Sequence, residues 1–184
     1  MKYVNAKIAV MIAVMLFLFS TSANAGTQTK GFLIDASVVS YMLHNGATNI
    51  KVYMAKDNNG VASYVVVPAE ADFSTAGGQV YRQVGSGVCP PSCEFPPASL
   101  AGKGSYTDAS NGENDVNNYM QSYANETNCV KISAATLNKV INDYPYVKIV
   151  FDSSVTVTGI NADGSAGRRS SYTENTNTTC VCGM

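Results

Sequence analysis

Residues 32–72 read FLIDASVVSYMLHNGATNIKVYMAKDNNGVASYVVVPAEAD, and residues 130–164 read VKISAATLNKVINDYPYVKIVFDSSVTVTGINADG. Each stretch opens with a short apolar lead and a small or polar cap. Each continues with an amphipathic helix of two to three turns, then a strand of alternating pattern, then a second strand. The pair reads as a weak internal duplication of an α-β-β unit, with copies over about 32–70 and 130–176.

In the first copy Asp35 is a suitable N-cap, and Val38, Val39, Met42 and Leu43 recur at helical spacing. Gly46 ends the helix, since a C′ glycine takes positive φ without penalty. From Asn49 to Ala55, Ile50, Val52 and Met54 alternate with Lys51 and Tyr53, which predicts a strand with one buried and one wet face. Asp57-Asn58-Asn59-Gly60 predicts a turn, Val61–Val67 the returning strand, and Pro68 its end. In the second copy Ser133 caps a helix carrying Leu137, Val140 and Ile141, with Pro145 just beyond it. Val147, Ile149 and Phe151 mark one strand face, and Val155, Val157 and Gly159 continue into another. Asn161-Ala162-Asp163-Gly164 turns the chain before a last strand over 169–176. The expected fold class is α+β. The two units share one mostly antiparallel sheet with both helices on one face, and a long irregular insertion over about 71–128 separates them. Within the insertion, Tyr119-Met120 and Tyr123 mark a short helix.

Ahead of this domain stand Lys2 and Lys7, an apolar run from Ile8 to Phe19, and Ala23-Asn24-Ala25. That order is the pattern of a secretory signal peptide over 1–25, with cleavage expected before Gly26. Twelve apolar residues rise only about 18 Å as a helix, short of the roughly 30 Å bilayer core. A periplasmic or extracellular location is expected, with one α+β domain over 26–184 and no stable membrane span after cleavage. Loss of two lysines leaves 10 basic and 13 acidic side chains in the mature domain. That balance argues against nucleic acid or an anionic membrane as partner. Arg168-Arg169, the one adjacent basic pair, reads as part of a solvated turn.

Five cysteines, Cys89, Cys93, Cys129, Cys180 and Cys182, are disulfide candidates in an oxidising compartment, and the odd count leaves one over. Their connectivity is open. Cys89, Cys93, Cys180 and Cys182 would supply four thiolates for an alternative metal site, although their spacing is not that of a zinc ribbon. Redox catalysis is disfavoured because Pro90, Pro91 and Ser92 separate the first pair. His44, the only histidine, lies in a last helical turn, and no nucleophile motif accompanies it. Glu70 with Asp72 is a poor acid–base pair. Glu113 and Asp115 read as solvated loop residues, and the two Asn/Asp-Gly turns lack the ligand pattern of a calcium loop. Asn125-Glu126-Thr127 and Asn177-Thr178-Thr179 match the glycosylation pattern only formally.

The run from Phe32 to Val67, with its Ile50–Ala55 strand and Asn59-Gly60 turn, is followed by Cys89-Pro90-Pro91-Ser92-Cys93. Together they resemble a group of uncharacterised exported proteins of Bacteroidetes with a helix–hairpin unit and a Cys-Pro-Pro-x-Cys element. The resemblance implies a source and no chemistry. No catalytic residue, cofactor or metal is expected. The sequence points to a non-enzymatic exported binding or cell-envelope accessory protein with a protein or carbohydrate partner. The alternatives are a cysteine-based metal or redox protein and, third, a hydrolase.

Overall fold

The structure is a computed structural model that describes residues 29–72, 74–89, 97–100, 104–124, 126–151, 154–174 and 179–180. Strand β1 (Lys30–Asp35) runs directly into helix α1 (Ala36–His44), followed by the hairpin β2 (Asn49–Lys56) and β3 (Ala62–Ala69). The second segment repeats that order as β7 (Cys129–Ser133), helix α3 (Ala134–Ile141), β8 (Tyr146–Phe151) and β9 (Val155–Ile160). Between them lie β4 (Val80–Val84), β5 (Val88–Cys89), a short 3-10 turn (Pro97–Leu100), β6 (Gly104–Thr107) and helix α2 (Ala109–Ser122). Strands β10 (Ala166–Glu174) and β11 (Thr179–Cys180) follow.

The expected α+β class with antiparallel pairing holds, but the strands form two sheets and not one. A five-stranded sheet has the order β10-β9-β8-β1-β5, and a six-stranded sheet the order β11-β7-β2-β3-β4-β6. The short apolar leads are the reason. Each is a strand in its own right, and each pairs with the hairpin of the other segment. β1 lies antiparallel to β8, with Asp35 opposite Tyr146, and β7 lies antiparallel to β2, with Ser133 opposite Asn49. The hydrogen bonds that start the helices match in the same way. The Ala36 N–H donates to the Pro145 carbonyl at 2.9 Å, and the Ala134 N–H to the Thr48 carbonyl at 3.2 Å.

Local features follow the sequence closely. Asp35 Oδ1 accepts from the Ser37 N–H at 2.8 Å, and Ser133 Oγ accepts from the Thr136 N–H at 3.3 Å, so both caps form. Gly60 and Gly164 hold φ of 77° and 87° in their turns. Val38, Val39, Met42, Leu137 and Val140 join the strands' inner residues in one main cluster, whereas Leu43 and Ile141 are only partly buried against it.

Three expectations change. β2 has no wet face, because α2 covers the outer side of the six-stranded sheet, where Val116 packs against Tyr53, Ala55, Val65, Val67 and Val80. The insertion is largely ordered structure; its helix runs from Ala109 to Ser122, far longer than the Tyr119–Tyr123 marker implied. Pro68 does not end β3 but sits inside it, opposite Ile50. Its carbonyl points away from β2 to the Ala76 N–H at 3.1 Å, so its ring nitrogen also faces away from β2. Pairing with β4 stops at Val66, and no ladder hydrogen bond is lost there.

Candidate functional site: a tyrosine ladder that opens at the surface

The alternation of β3, β4 and β6 and the outer side of α1 bring four tyrosines into one line. Tyr81 and Tyr106 are directly opposed on β4 and β6, with ring centroids 5.4 Å apart. Tyr106 meets Tyr41 of α1 at 4.9 Å, and Tyr81 meets Tyr64 of β3 at 6.5 Å. Beyond Tyr64 the line enters the core through Phe32 at 5.7 Å and Phe151 at a further 5.3 Å. Exposure grades from 0% at Tyr64 to 36% at Tyr106 and 49% at Tyr41. The ladder is thus fixed at its inner end and open at its outer end.

The inner hydroxyls are held. Tyr64 donates to the Leu33 carbonyl at 2.9 Å, and Tyr81 donates to Gln83 Oε1 at 2.9 Å. Gln83 is fully buried, and its Nε2 donates to Ser86 Oγ at 2.8 Å. Gly104 makes room for this arrangement, because a Cβ there would stand 1.6 Å from the Tyr81 hydroxyl. Asp35, the cap of α1, lies near enough for its negative charge to act on Tyr64, Tyr81 and Tyr106. Burial pushes Tyr81 up to about 12, with Asp35 and then Tyr106 adding to the effect. Burial raises Tyr106 as well, followed by Tyr41 and Asp35, and raises Tyr64 well above its ordinary value. These phenols stay neutral at physiological pH. They can donate and accept hydrogen bonds and offer ring surface, but they are poorly suited to proton abstraction.

The residues singled out from sequence fall elsewhere and do not converge. His44 is exposed, with Nδ1 2.8 Å from the Ser40 carbonyl of its own helix. Asp72 Oδ1 accepts from the Ser74 N–H and Oγ at 2.8 and 2.7 Å, which lowers its pKa, while Glu70 is exposed. Glu113 is exposed on α2, but Asp115 is buried there and pairs with Arg82, so it is not a solvated loop residue. Arg168 stands on β10 and not in a turn, and its carbonyl accepts from the Tyr144 hydroxyl at 3.1 Å. Asn125 and the 177–178 part of the second glycosylation pattern lie outside the described residues, as do 1–28 with the expected signal peptide.

Cys89 is buried on β5 opposite Gly31, its sulfur 3.0 Å from the Thr29 carbonyl oxygen, and Cys129 is buried on β7. Both are disulfide-bonded, and a sulfur so engaged is not a thiolate ligand. Cys180 lies on β11 in the other sheet from Cys89, and Cys93 and Cys182 fall outside the described residues. Among the described residues no group of three or more His, Cys, Asp or Glu could hold a metal ion, and no helix is long and apolar enough to cross a membrane.

The ladder escaped the sequence reading because its members are 17 to 65 positions apart; the one available signal was Tyr on the outward positions of three separate elements. No family model, no curated protein and no solved structure matches this chain.

Proposed function

We propose that the protein is an exported, non-enzymatic binding module that takes a neutral carbohydrate at the outer end of the tyrosine ladder. The observation that carries this reading is the exposed Tyr41–Tyr106 pair, 4.9 Å apart and anchored through Tyr81 to the core. A pyranose ring presents axial C–H groups to aromatic faces and hydroxyl donors to a carboxylate. Neutral phenols and the Asp35 charge match those two demands. Tyrosine is also an economical contact residue, with large amphipathic area and few rotatable bonds. Charged residues make up only 14% of the chain, which suits an uncharged ligand better than a polyanion.

The address rests on the signal-type pattern of residues 1–25. The two β-α-β-β segments are read as copies of one unit that exchanged their lead strands, and only the first carries the ladder's helix tyrosine, Tyr41. An array of neutral oligosaccharides probed with the full exported chain tests the function. Retention of at least one glycan that is lost in both Tyr41→Ala and Tyr106→Ala, with folding intact by circular dichroism, supports it. Absence of glycan retention, or retention that survives both substitutions, refutes it.

A further inference from the structure

We propose that Cys129 and Cys180 are joined by a disulfide that fastens the terminal strand β11 to the edge of the six-stranded sheet. Cys129 is disulfide-bonded. β11 lies antiparallel to β7 with Thr179 opposite Val130 and Cys180 opposite Cys129. Directly opposed residues of an antiparallel pair share one sheet face, with Cα atoms about 4.5–5.5 Å apart. That separation falls inside the roughly 4.4–6.8 Å window of disulfides. Cys89 belongs to the other sheet and is opposed by Gly31. Cys182 lies outside the described residues, and a bond from it to Cys129 is the competing assignment that the peptide map distinguishes.

The bond has a clear task. Among the described residues β11 meets β7 through two register pairs, and a covalent bond at one of them holds the strand independently of the ladder hydrogen bonds. Without it β7 would be an open edge, the usual template for unwanted strand addition. The chain also passes from β10, an outer strand of one sheet, to β11, an outer strand of the other. The cross-link therefore ties the two sheets together at their margins and closes a long loop, the case in which a cross-link restricts the unfolded chain most. Its formation joins two thiols in one S–S bond. Two protons and two electrons pass to a disulfide-bearing oxidant, whose own S–S bond becomes two thiols.

A non-reducing tryptic map of the full chain, alkylated in acid before digestion, tests the assignment. Cleavage after Arg82, Lys103, Lys131 and Arg169 puts Cys89 with Cys93 on one peptide, Cys129 alone on a second, and Cys180 with Cys182 on a third. The expected result is peptide 104–131 linked to peptide 170–184, with fragmentation placing the bond on Cys180. The link should persist in Cys182→Ser and vanish in Cys180→Ser; should the latter fail to accumulate, fragmentation of the native peptide pair decides alone. A link from Cys129 to peptide 83–103, a bond through Cys182, or an alkylated Cys129 overturns the proposal.

Discussion

Asp115 of α2 accepts from Arg82 of β4 on both carboxylate oxygens, Nη2 to Oδ1 at 3.1 Å and Nε to Oδ2. Ser63 Oγ approaches the same Oδ2 at 3.5 Å. The aspartate side chain is 4% exposed and the arginine 29%, so the pair sits at the margin between helix and sheet. It pins a helix whose other buried contacts are few, chiefly Val116 and Tyr119. Asp115→Ala leaves a half-buried guanidinium without its partner and should cost about 2–4 kcal/mol, at the lower end because Arg82 still reaches water. The double variant Arg82→Met with Asp115→Leu should recover most of that loss. Urea denaturation of the three variants checks this, and equal losses in the single and double variants would count against a pairing role.

Core substitutions should separate residues that the sequence ranked together. Leu137 is fully buried, and Leu137→Ala should cost about 2–5 kcal/mol. Leu43 occupies an apolar helical position in the first segment but is only partly buried, so Leu43→Ala should cost about 1 kcal/mol. Thermal or urea unfolding of both variants measures the contrast; equal costs would contradict the burial pattern.

Alkaline stability should report the buried phenols. Burial raises Tyr64, Tyr81, Tyr106 and Tyr119, while the unfolded chain's tyrosines titrate near about 10. Below that pH neither state loses a proton, and the contribution to stability is fully present. Above it the unfolded state deprotonates first, so stability falls as pH rises through the folded-state values, through about 12 for Tyr81. Denaturation midpoints should be level from about pH 8 to 10 and drop beyond, with a shallower drop in Tyr81→Phe. A midpoint that rises above pH 10 would reverse the sign of the argument.

Local features were legible and long-range ones were not. The caps Asp35 and Ser133, the turns at Gly60 and Gly164 and the inward residues of both helices follow from nearest-neighbour chemistry, which a sequence displays directly. The pairing of β1 with β8 and of β7 with β2 depends on partners more than 75 positions away, and the leads are too short to show a period of two. Lys51 and Tyr53 looked solvent-facing because alternation reports only one covered face; Tyr53 lies in the cluster of a helix rich in Asn with few apolar residues, and Lys51 Nζ reaches Thr75 Oγ1 at 3.1 Å. The tyrosine ladder was visible only as an abundance of Tyr; its geometry arises from the pairing of Tyr81 with Tyr106 and from the placement of α1.

The central claim is that the outer end of the ladder binds a neutral carbohydrate, and calorimetric titration of the full chain with an array-selected oligosaccharide tests it most directly. The account predicts saturable binding that Tyr41→Ala weakens at least tenfold, about 1.4 kcal/mol, while Tyr123→Ala, at an exposed tyrosine outside the ladder, leaves it unchanged. Equal affinity in the wild type and Tyr41→Ala, or an equal loss in Tyr123→Ala, would contradict it.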